Sequence, residues 1–310
     1  MAGIFVYSED IMVTKQLLTA GRALADALQV SVTALTLNET DTAAIIACGA
    51  DKVIAMTGTN LWPESYAASI AGQIEKEQPT AILIGGTLRG KDVAARIAGL
   101  HNCGLVNSAL SVEVVSGKVE TTRIIYGGLA VCTEELSDGC IVTIDPRTYE
   151  EAVADATRSG ETVAYKAEIP DDATNVGAVC PIVRERADLA IAEKIVCVGR
   201  GLGSQDDMKM AEDLAEKLGA EIGCTRSVAE DYHWLPTESY IGLSGQKVKP
   251  QLYISFGVSG QVQHIVGARD SKIIVAIDKN EKAPIFEAAD YGIVGDLYDI
   301  VPALIEKLGK

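Results

Sequence analysis

The sequence predicts an α/β protein of two domains: an N-terminal domain with a parallel sheet and an antiparallel extension, and a Rossmann-like C-terminal domain. Three observations lead there. Short apolar runs alternate with longer stretches whose apolar positions recur every three to four residues, the signature of buried parallel strands covered by helices. The chain has 310 residues, enough for two separate cores. Between residues 155 and 192 the periodicity lapses into polar, loop-like sequence (DATRSGET, PDDATNVGA, RERADLA). That lapse divides the chain into domains at 1–185 and 193–310, with the boundary near Ala192.

Taken in order, Ile4 to Tyr7 reads as a strand. The following helix carries Leu17, Leu18, Gly21, Leu24, Ala25 and Leu28 on one face. Val30 to Leu37 is a strand, Thr42 to Cys48 a short helix ending near Gly49, and Lys52 to Met56 a strand. Tyr66 to Glu77 is a helix and Ala81 to Ile84 a fourth strand. Residues 85–92, GGTLRGKD, carry the GxxxxGK spacing of a phosphate-binding loop between a strand and a helix. Asp92, however, stands where such a loop needs Ser or Thr to hold magnesium, and a carboxylate there repels phosphate. Asp92 is expected instead to stabilise the start of the next helix, and an NTPase is not expected. From Leu110 the period falls to two. Ser111 to Val115, Lys118 to Tyr126 and Cys140 to Ile144 read as strands of an antiparallel end, with SGK and SDG as turns. The paired glycines of IIYGGLAV, 124–131, suggest close backbone packing or a binding edge.

The C-terminal domain opens with the strand Lys194 to Val198 and the loop GRGLGSQ. A helix from Asp206 to Leu218 follows, with Asp206 and Asp207 in its first turn and Gly219 at its end. The strand Ala220 to Cys224 runs into Thr225 and Arg226. The centre of the domain is ISFGVSGQVQHIVGARDSKIIVAIDKN, 254–280. Here a buried strand (Leu252 to Phe256) leads into a tight loop bracketed by Gly257 and Gly260, then a helix from Gln261, then a strand (Ile273 to Ile277) ending in Asp278. Strand, glycine loop and helix start form a nucleotide-phosphate cradle, because unpaired helix-start amides attract an anion and glycine admits it closely. An ordinary strand–helix turn is the plainer reading of a lone GxxG. DYGIVGDL, 290–297, and a helix from Asp299 to Leu308 close the chain.

Composition narrows the function. The net charge of −16 argues against a nucleic-acid partner, which requires a basic face. No apolar run approaches the ~20 residues that cross a bilayer, so no membrane insertion is expected. The opening MAGIFVYSED runs straight into a strand without the features of a secretory leader, and a cytoplasmic location is expected. Seven scattered cysteines without a CxxC pair fit a reducing compartment and offer no metal set; Cys197 and Cys224 read as core filler.

The ordered motifs VGRGLGS, GCTRSVAED, YIGLSGQ, KPQLYISFGVSGQVQHIVGARDSKIIVAIDK and APIFEAADYGIVGDL resemble those of the electron transfer flavoprotein alpha subunit. The resemblance spans essentially the whole chain. CTRSVAEDYHW, with RGKDVAARIA and YGGLAV, is similar to the Fix and carnitine-pathway branch. It implies a nucleotide-hydrolase-like N-terminal domain packed on a beta subunit and a C-terminal domain that holds FAD. Position by position, it assigns to the FAD site Arg200, Thr225, Arg226, Ile241, Gly242, Leu243, Ser244, Ser259, Gly260, Gln261, Val262, Gln263, His264, Asp278, Asp296 and Leu297. Ser259 and Gly260 would meet the pyrophosphate, Arg226 the flavin ring, and Ser244 flavin N5. His264 would donate to flavin O2, and Asp278 would bind the adenosine ribose. Leu243, Gln246 and Asp278 stand where Gln, Lys and Asn are frequent in the family.

The implied role is electron carriage rather than stand-alone catalysis, with no catalytic or metal-ligating residue. The heterodimer would exchange electrons with an acyl-CoA dehydrogenase-like partner and with a ferredoxin, flavodoxin or quinone-linked acceptor. Whether it bifurcates electrons depends largely on the beta subunit, which carries either AMP or a second FAD in the family; the Fix-like features lean towards two flavins. Two other readings stand beside this one: a stand-alone NAD-binding dehydrogenase, and a nucleotide-sensing module without redox activity. GRGLGSQ follows a strand but lacks the full GxGxxG spacing, and no acid–base pair for a substrate stands out.

Overall fold

The computed structural model describes residues 3–58, 62–170, 174, 176–178, 180 and 188–308. The chain forms two compact units, Met1–Cys180 and Pro181–Lys310. Part of the segment expected to link the domains, residues 171–173, 175, 179 and 181–187, lies outside the described residues.

Unit 1 is built on one sheet of β1 (Ile4–Tyr7), β2 (Val32–Thr36), β3 (Lys52–Thr57), β4 (Ala81–Gly85), β5 (Leu105–Val115), β6 (Lys118–Ile125), β7 (Ala130–Glu135), β8 (Cys140–Ile144) and β9 (Glu161–Lys166). Their order is β7-β6-β5-β8-β4-β1-β2-β3-β9. Every residue of β1 is buried because alternate side chains enter different cores. Ile4 and Val6 pack with α1 (Ile11–Leu28) and with Ile45 of α2 (Thr42–Ala47). Phe5 and Tyr7 pack with α3 (Ala67–Glu77) and α4 (Leu88–His101). The Asp10 carboxylate caps α1 by accepting from the Met12 amide at 2.8 Å. Leu17, Leu18 and Leu24 of α1 are almost fully buried, each worth roughly 1.5–3 kcal/mol.

Three expectations change here. Cys140–Ile144 is not part of the antiparallel end; it lies parallel to both β4 and β5. All five of its residues are buried, as its unbroken CIVTI run requires. Among the described residues, antiparallel pairing is confined to β5–β6 and β6–β7. Residues 161–166, read as loop, form the edge strand β9, whose polar ETVAYK pairs with β3. Asp92 does not start α4, because Thr87 caps it by accepting from the Gly90 amide at 2.8 Å. Asp92 sits a turn later and pairs with Arg96, while Lys91 of the P-loop-like stretch pairs with Asp145 at 2.8 Å.

Unit 2 has the parallel strands β10 (Lys194–Val198), β11 (Glu221–Cys224), β12 (Leu252–Phe256), β13 (Ile274–Asp278) and β14 (Tyr291–Val294), in the order β11-β10-β12-β13-β14. On one face lie α5 (Met208–Leu218) and α8 (Leu297–Leu308); on the other lie α6 (Val262–Ala268) and α7 (Ile285–Ala288). Gly219 ends α5 in the left-handed conformation, as expected. Asp207 lies just ahead of the helix, where its carboxylate accepts from Ser204 and the Tyr298 hydroxyl. Because β11 and β12 leave β10 on opposite sides, strand order reverses between β10 and β12. A parallel sheet opens a crevice at such a point, beyond the carboxyl ends of its strands. Among the described residues, no helix is long and apolar enough to cross a membrane.

Candidate functional site

The crevice is a cavity of about 690 Å³. In register, Val198, Cys224 and Phe256 end their strands level with Ile277, one residue before the end of β13, so the loops that follow converge. Arg200 and Gly201 follow β10; Thr225, Arg226 and Ser227 follow β11; residues 257–261 follow β12; Asp278 ends β13. Tyr240, Leu243 and Ser244 come from the loop before β12, and Gln263 and His264 from α6.

Arg200, Thr225, Arg226, Leu243, Ser244, Ser259, Gly260, Gln261, Gln263, His264 and Asp278, all assigned by the resemblance, line this one cavity. The other five assigned residues do not. Ile241 is fully buried beneath it, and Gly242 packs against Gln263 and Tyr240. Val262 lies on α6, half exposed. Asp296 accepts from the Tyr298 amide at the start of α8, where Leu297 is packed into the core. Tyr240, Gly201 and Ser227 also line the cavity; they fall within YIGLSGQ, VGRGLGS and GCTRSVAED, but the resemblance assigned none of them to the site.

The glycines have a more specific purpose than closeness to a ligand. A Cβ on Gly201 would stand 2.4 Å from the Gly257 Cα, and one on Gly199 would stand 2.1 Å from the Gly257 carbonyl oxygen. The GRG and FGVSG loops therefore lock backbone to backbone across the switch point, joined by Gly201 N–H donating to Gly257 at 3.0 Å. Gly257 and Gly260 have φ of +64° and +76°, a region that side chains with a Cβ rarely adopt. A Cβ at Gly260 would meet the Ile285 amide nitrogen at 2.3 Å.

Arg226 is largely exposed, and its Nε donates to Glu230 Oε2 at 2.6 Å, one helical turn on. That bond, with the carboxylate's charge, raises its already high pKa. Asp278 accepts from the Asn280 amide at 2.8 Å, closing a turn with one carboxylate oxygen. His264 is buried, and its Nε2 lies 2.7 Å from the Tyr253 hydroxyl and 3.9 Å from Cys197 Sγ. Cys197, read as filler, thus stands behind a site residue. Burial pushes His264 down to about 4, with a backbone group of Ile241 acting the other way, so the ring is neutral at pH 7. Burial also pushes the Cys197 thiol up to about 12 and holds Tyr253 protonated.

The lining fits a large, polar cofactor. Two of its buried polar atoms, His264 Nδ1 and Thr225 Oγ1, have no hydrogen-bond partner among the described residues. Each such orphan costs about 1–3 kcal/mol, which a ligand that pairs with it recovers. A crevice at a switch point, glycine-locked loops, two arginine cations and hydroxyl donors together define a nucleotide-cofactor protein of the doubly wound α/β class.

The particular family follows from comparison with known proteins. Residues 9–170 match the family described as electron transfer flavoprotein domain, and residues 188–269 match the electron transfer flavoprotein FAD-binding domain. Protein FixB of Escherichia coli O6:K15:H31 is 37% identical over 311 residues, covering 99% of this chain and 98% of its own. FixB of Salmonella typhimurium is 36% identical over 313 residues, covering 100% and 99%. A protein of Escherichia coli K12 named "Putative electron transfer flavoprotein subunit YdiR" is 42% identical over 254 residues, 80% of each chain. The chain belongs to the electron transfer flavoprotein alpha subunit family, and its cofactor is FAD.

Proposed function

We propose that this chain is the FAD-carrying half of a one-to-one heterodimer with a beta subunit, and that the heterodimer passes electrons between an acyl-CoA dehydrogenase-like partner and a ferredoxin, flavodoxin or quinone-linked acceptor in the cytoplasm. The observation that carries the heterodimer is an exposed apolar edge in unit 1. The β6–β7 hairpin ends the sheet, and among the described residues one side of β7 is unpaired. Tyr126, Leu129 and Val131 on this hairpin are 78%, 78% and 62% exposed. An unpaired strand edge beside exposed aromatic and aliphatic side chains suits a protein partner, since it otherwise invites aggregation.

FAD supplies the redox chemistry when bound. The residues assigned to it set its position and environment. Arg226 brings a permanent cation towards a ring that gains negative charge on reduction. His264, neutral and buried, brings a hydrogen-bonding nitrogen without adding a charge. Ser259 and the glycine-locked turn belong with the pyrophosphate, and Asp278 with the adenosine ribose. Thr225 brings its buried hydroxyl to the same cavity.

The complex is further proposed to bifurcate electrons, with a second flavin on the beta subunit. The support is the similarity of CTRSVAEDYHW, RGKDVAARIA and YGGLAV to the Fix-like branch. Co-expression with the beta subunit, followed by counting FAD per heterodimer, tests both statements. Two flavins per one-to-one complex are expected. One flavin removes bifurcation, and an alpha chain that stays monomeric while fully loaded and competent in electron transfer removes the heterodimer.

A further inference from the structure

Behind the cavity lies a buried trio that no motif announces: Cys197 on β10, Tyr253 on β12 and His264 on α6. Tyr253 is fully buried, and its hydroxyl is 2.7 Å from His264 Nε2. Cys197 Sγ approaches the same nitrogen at 3.9 Å and is also hydrogen-bonded with the Tyr253 hydroxyl. The other ring nitrogen, Nδ1, has no well-formed hydrogen bond among the described residues, although a backbone group of Ile241 acts on the ring.

The three groups can be ordered in two ways. In one, Nε2–H donates to the tyrosine oxygen and the phenol must then donate to sulfur, a weak acceptor. Nδ1 would be left with a lone pair. In the other, the phenol donates to Nε2, a far better acceptor than sulfur, and the weak S–H donor is free to point at the phenol oxygen or at Nε2. Nδ1 then carries the ring proton. The second order matches the strong donor with the strong acceptor, and in a dry interior that match decides. The hydrogen bond at one imidazole nitrogen fixes the proton on the other.

We propose that Tyr253 is a positioning residue whose hydroxyl donates to His264 Nε2 and holds the imidazole as the Nδ1–H tautomer, so that His264 offers the bound flavin a hydrogen-bond donor rather than an acceptor. The ligand atom suited to that donor is a carbonyl oxygen of the ring. This last clause rests on the FAD reading above; the tautomer itself does not.

The chain has only three histidines, so imidazole-¹⁵N-labelled full-length protein gives an assignable spectrum, with His264→Asn identifying its signals. In the FAD-free wild type at neutral pH, long-range ¹H–¹⁵N correlations are expected to show His264 as a single Nδ1–H tautomer. Tyr253→Phe, which keeps the ring and deletes the hydroxyl, is expected to give a mixture or the Nε2–H form. It is also expected to weaken FAD binding about two- to tenfold, the worth of one neutral hydrogen bond. A wild-type Nε2–H tautomer, or an unchanged Nδ1–H tautomer in Tyr253→Phe, overturns the proposal. Should that variant fail to fold, incorporation of 3-fluorotyrosine makes the phenol a stronger donor at nearly constant volume. It must shift the His264 ¹⁵Nε2 resonance, and no shift overturns the proposal. Adding FAD separates the two layers. A Tyr253-dependent tautomer whose Nδ1 signal ignores bound FAD leaves the positioning role intact and removes His264 from the flavin.

Discussion

Gly260→Ala, compared with Gly219→Ala, isolates the glycine-locked turn from the general cost of a left-handed backbone. Both glycines have positive φ, +76° and +60°. At Gly219, the cap of α5, a Cβ meets nothing within 4 Å. Its replacement therefore costs only the left-handed penalty of about 1–2 kcal/mol. For a unit of this size that lowers Tm by about 4 °C per kcal/mol. At Gly260 the same penalty is joined by contacts of 2.3 and 2.4 Å to the backbone of Ile285. Neither atom is the end of a flexible side chain, so the turn or α7 has to move by about 1 Å to restore ordinary van der Waals separation, and such shifts cost about 1–3 kcal/mol. The Ser259 carbonyl, which accepts from the Ile285 amide at 3.1 Å, moves with it. Losing one charge-assisted contact to a pyrophosphate then weakens FAD by about ten- to a hundredfold. Thermal melts and fluorescence titration with FAD read the two effects separately. Gly219→Ala should melt lower and bind FAD normally, whereas Gly260→Ala should lose on both. If Gly260→Ala melts like Gly219→Ala and binds FAD like the wild type, the turn is not part of the cofactor site.

Asp278→Asn should change FAD affinity little, because an amide oxygen still accepts from both a ribose hydroxyl and the Asn280 amide; Asp278→Ala should reduce it about ten- to a hundredfold in the same titration. Arg226→Ala should lower the first reduction potential of the flavin by up to about 59 mV, tenfold for one electron, and by less at high salt because the guanidinium is exposed. Arg226→Lys should be intermediate, and Glu230→Gln, which removes the counter-charge, should raise that potential; spectroelectrochemical titration checks all three signs. Leu129→Asp on the exposed hairpin should leave the Tm of the alpha chain unchanged and weaken beta-subunit binding at least tenfold by calorimetry.

Much of the fold is legible because parallel strands are buried on both faces and read as unbroken apolar runs: IFVY, AILIG, CIVTI, KIVCV and LYISF all form strands. The edges are harder. ETVAYK of β9 and AVCTEE of β7 bury few residues, so burial leaves little mark on their composition and pairing alone makes them strands. Asp92 and Thr87 show a related limit. Both suit a helix start, and only the turn after β4 decides that Thr87 takes it. The cavity lining is legible where loops follow strand ends, as at Arg200, Thr225 and Gly260. Tyr240 and Tyr253 escape notice because the sequence does not show that the loop of Tyr240 reaches the cavity or that the face of β12 carrying Tyr253 meets His264. Arg226 and Glu230 are four residues apart, a spacing that anticipates an ion pair, but not that the pair borders the cavity.

The central claim is that unit 2 holds FAD in the crevice between β10 and β12. A crystal structure of the FAD-loaded heterodimer tests it most directly. The predicted result is isoalloxazine density beside Arg226 and His264, with the pyrophosphate at Ser259 and Gly260 and the ribose at Asp278. Flavin density elsewhere on the alpha chain, with this crevice filled only by solvent, would contradict the account.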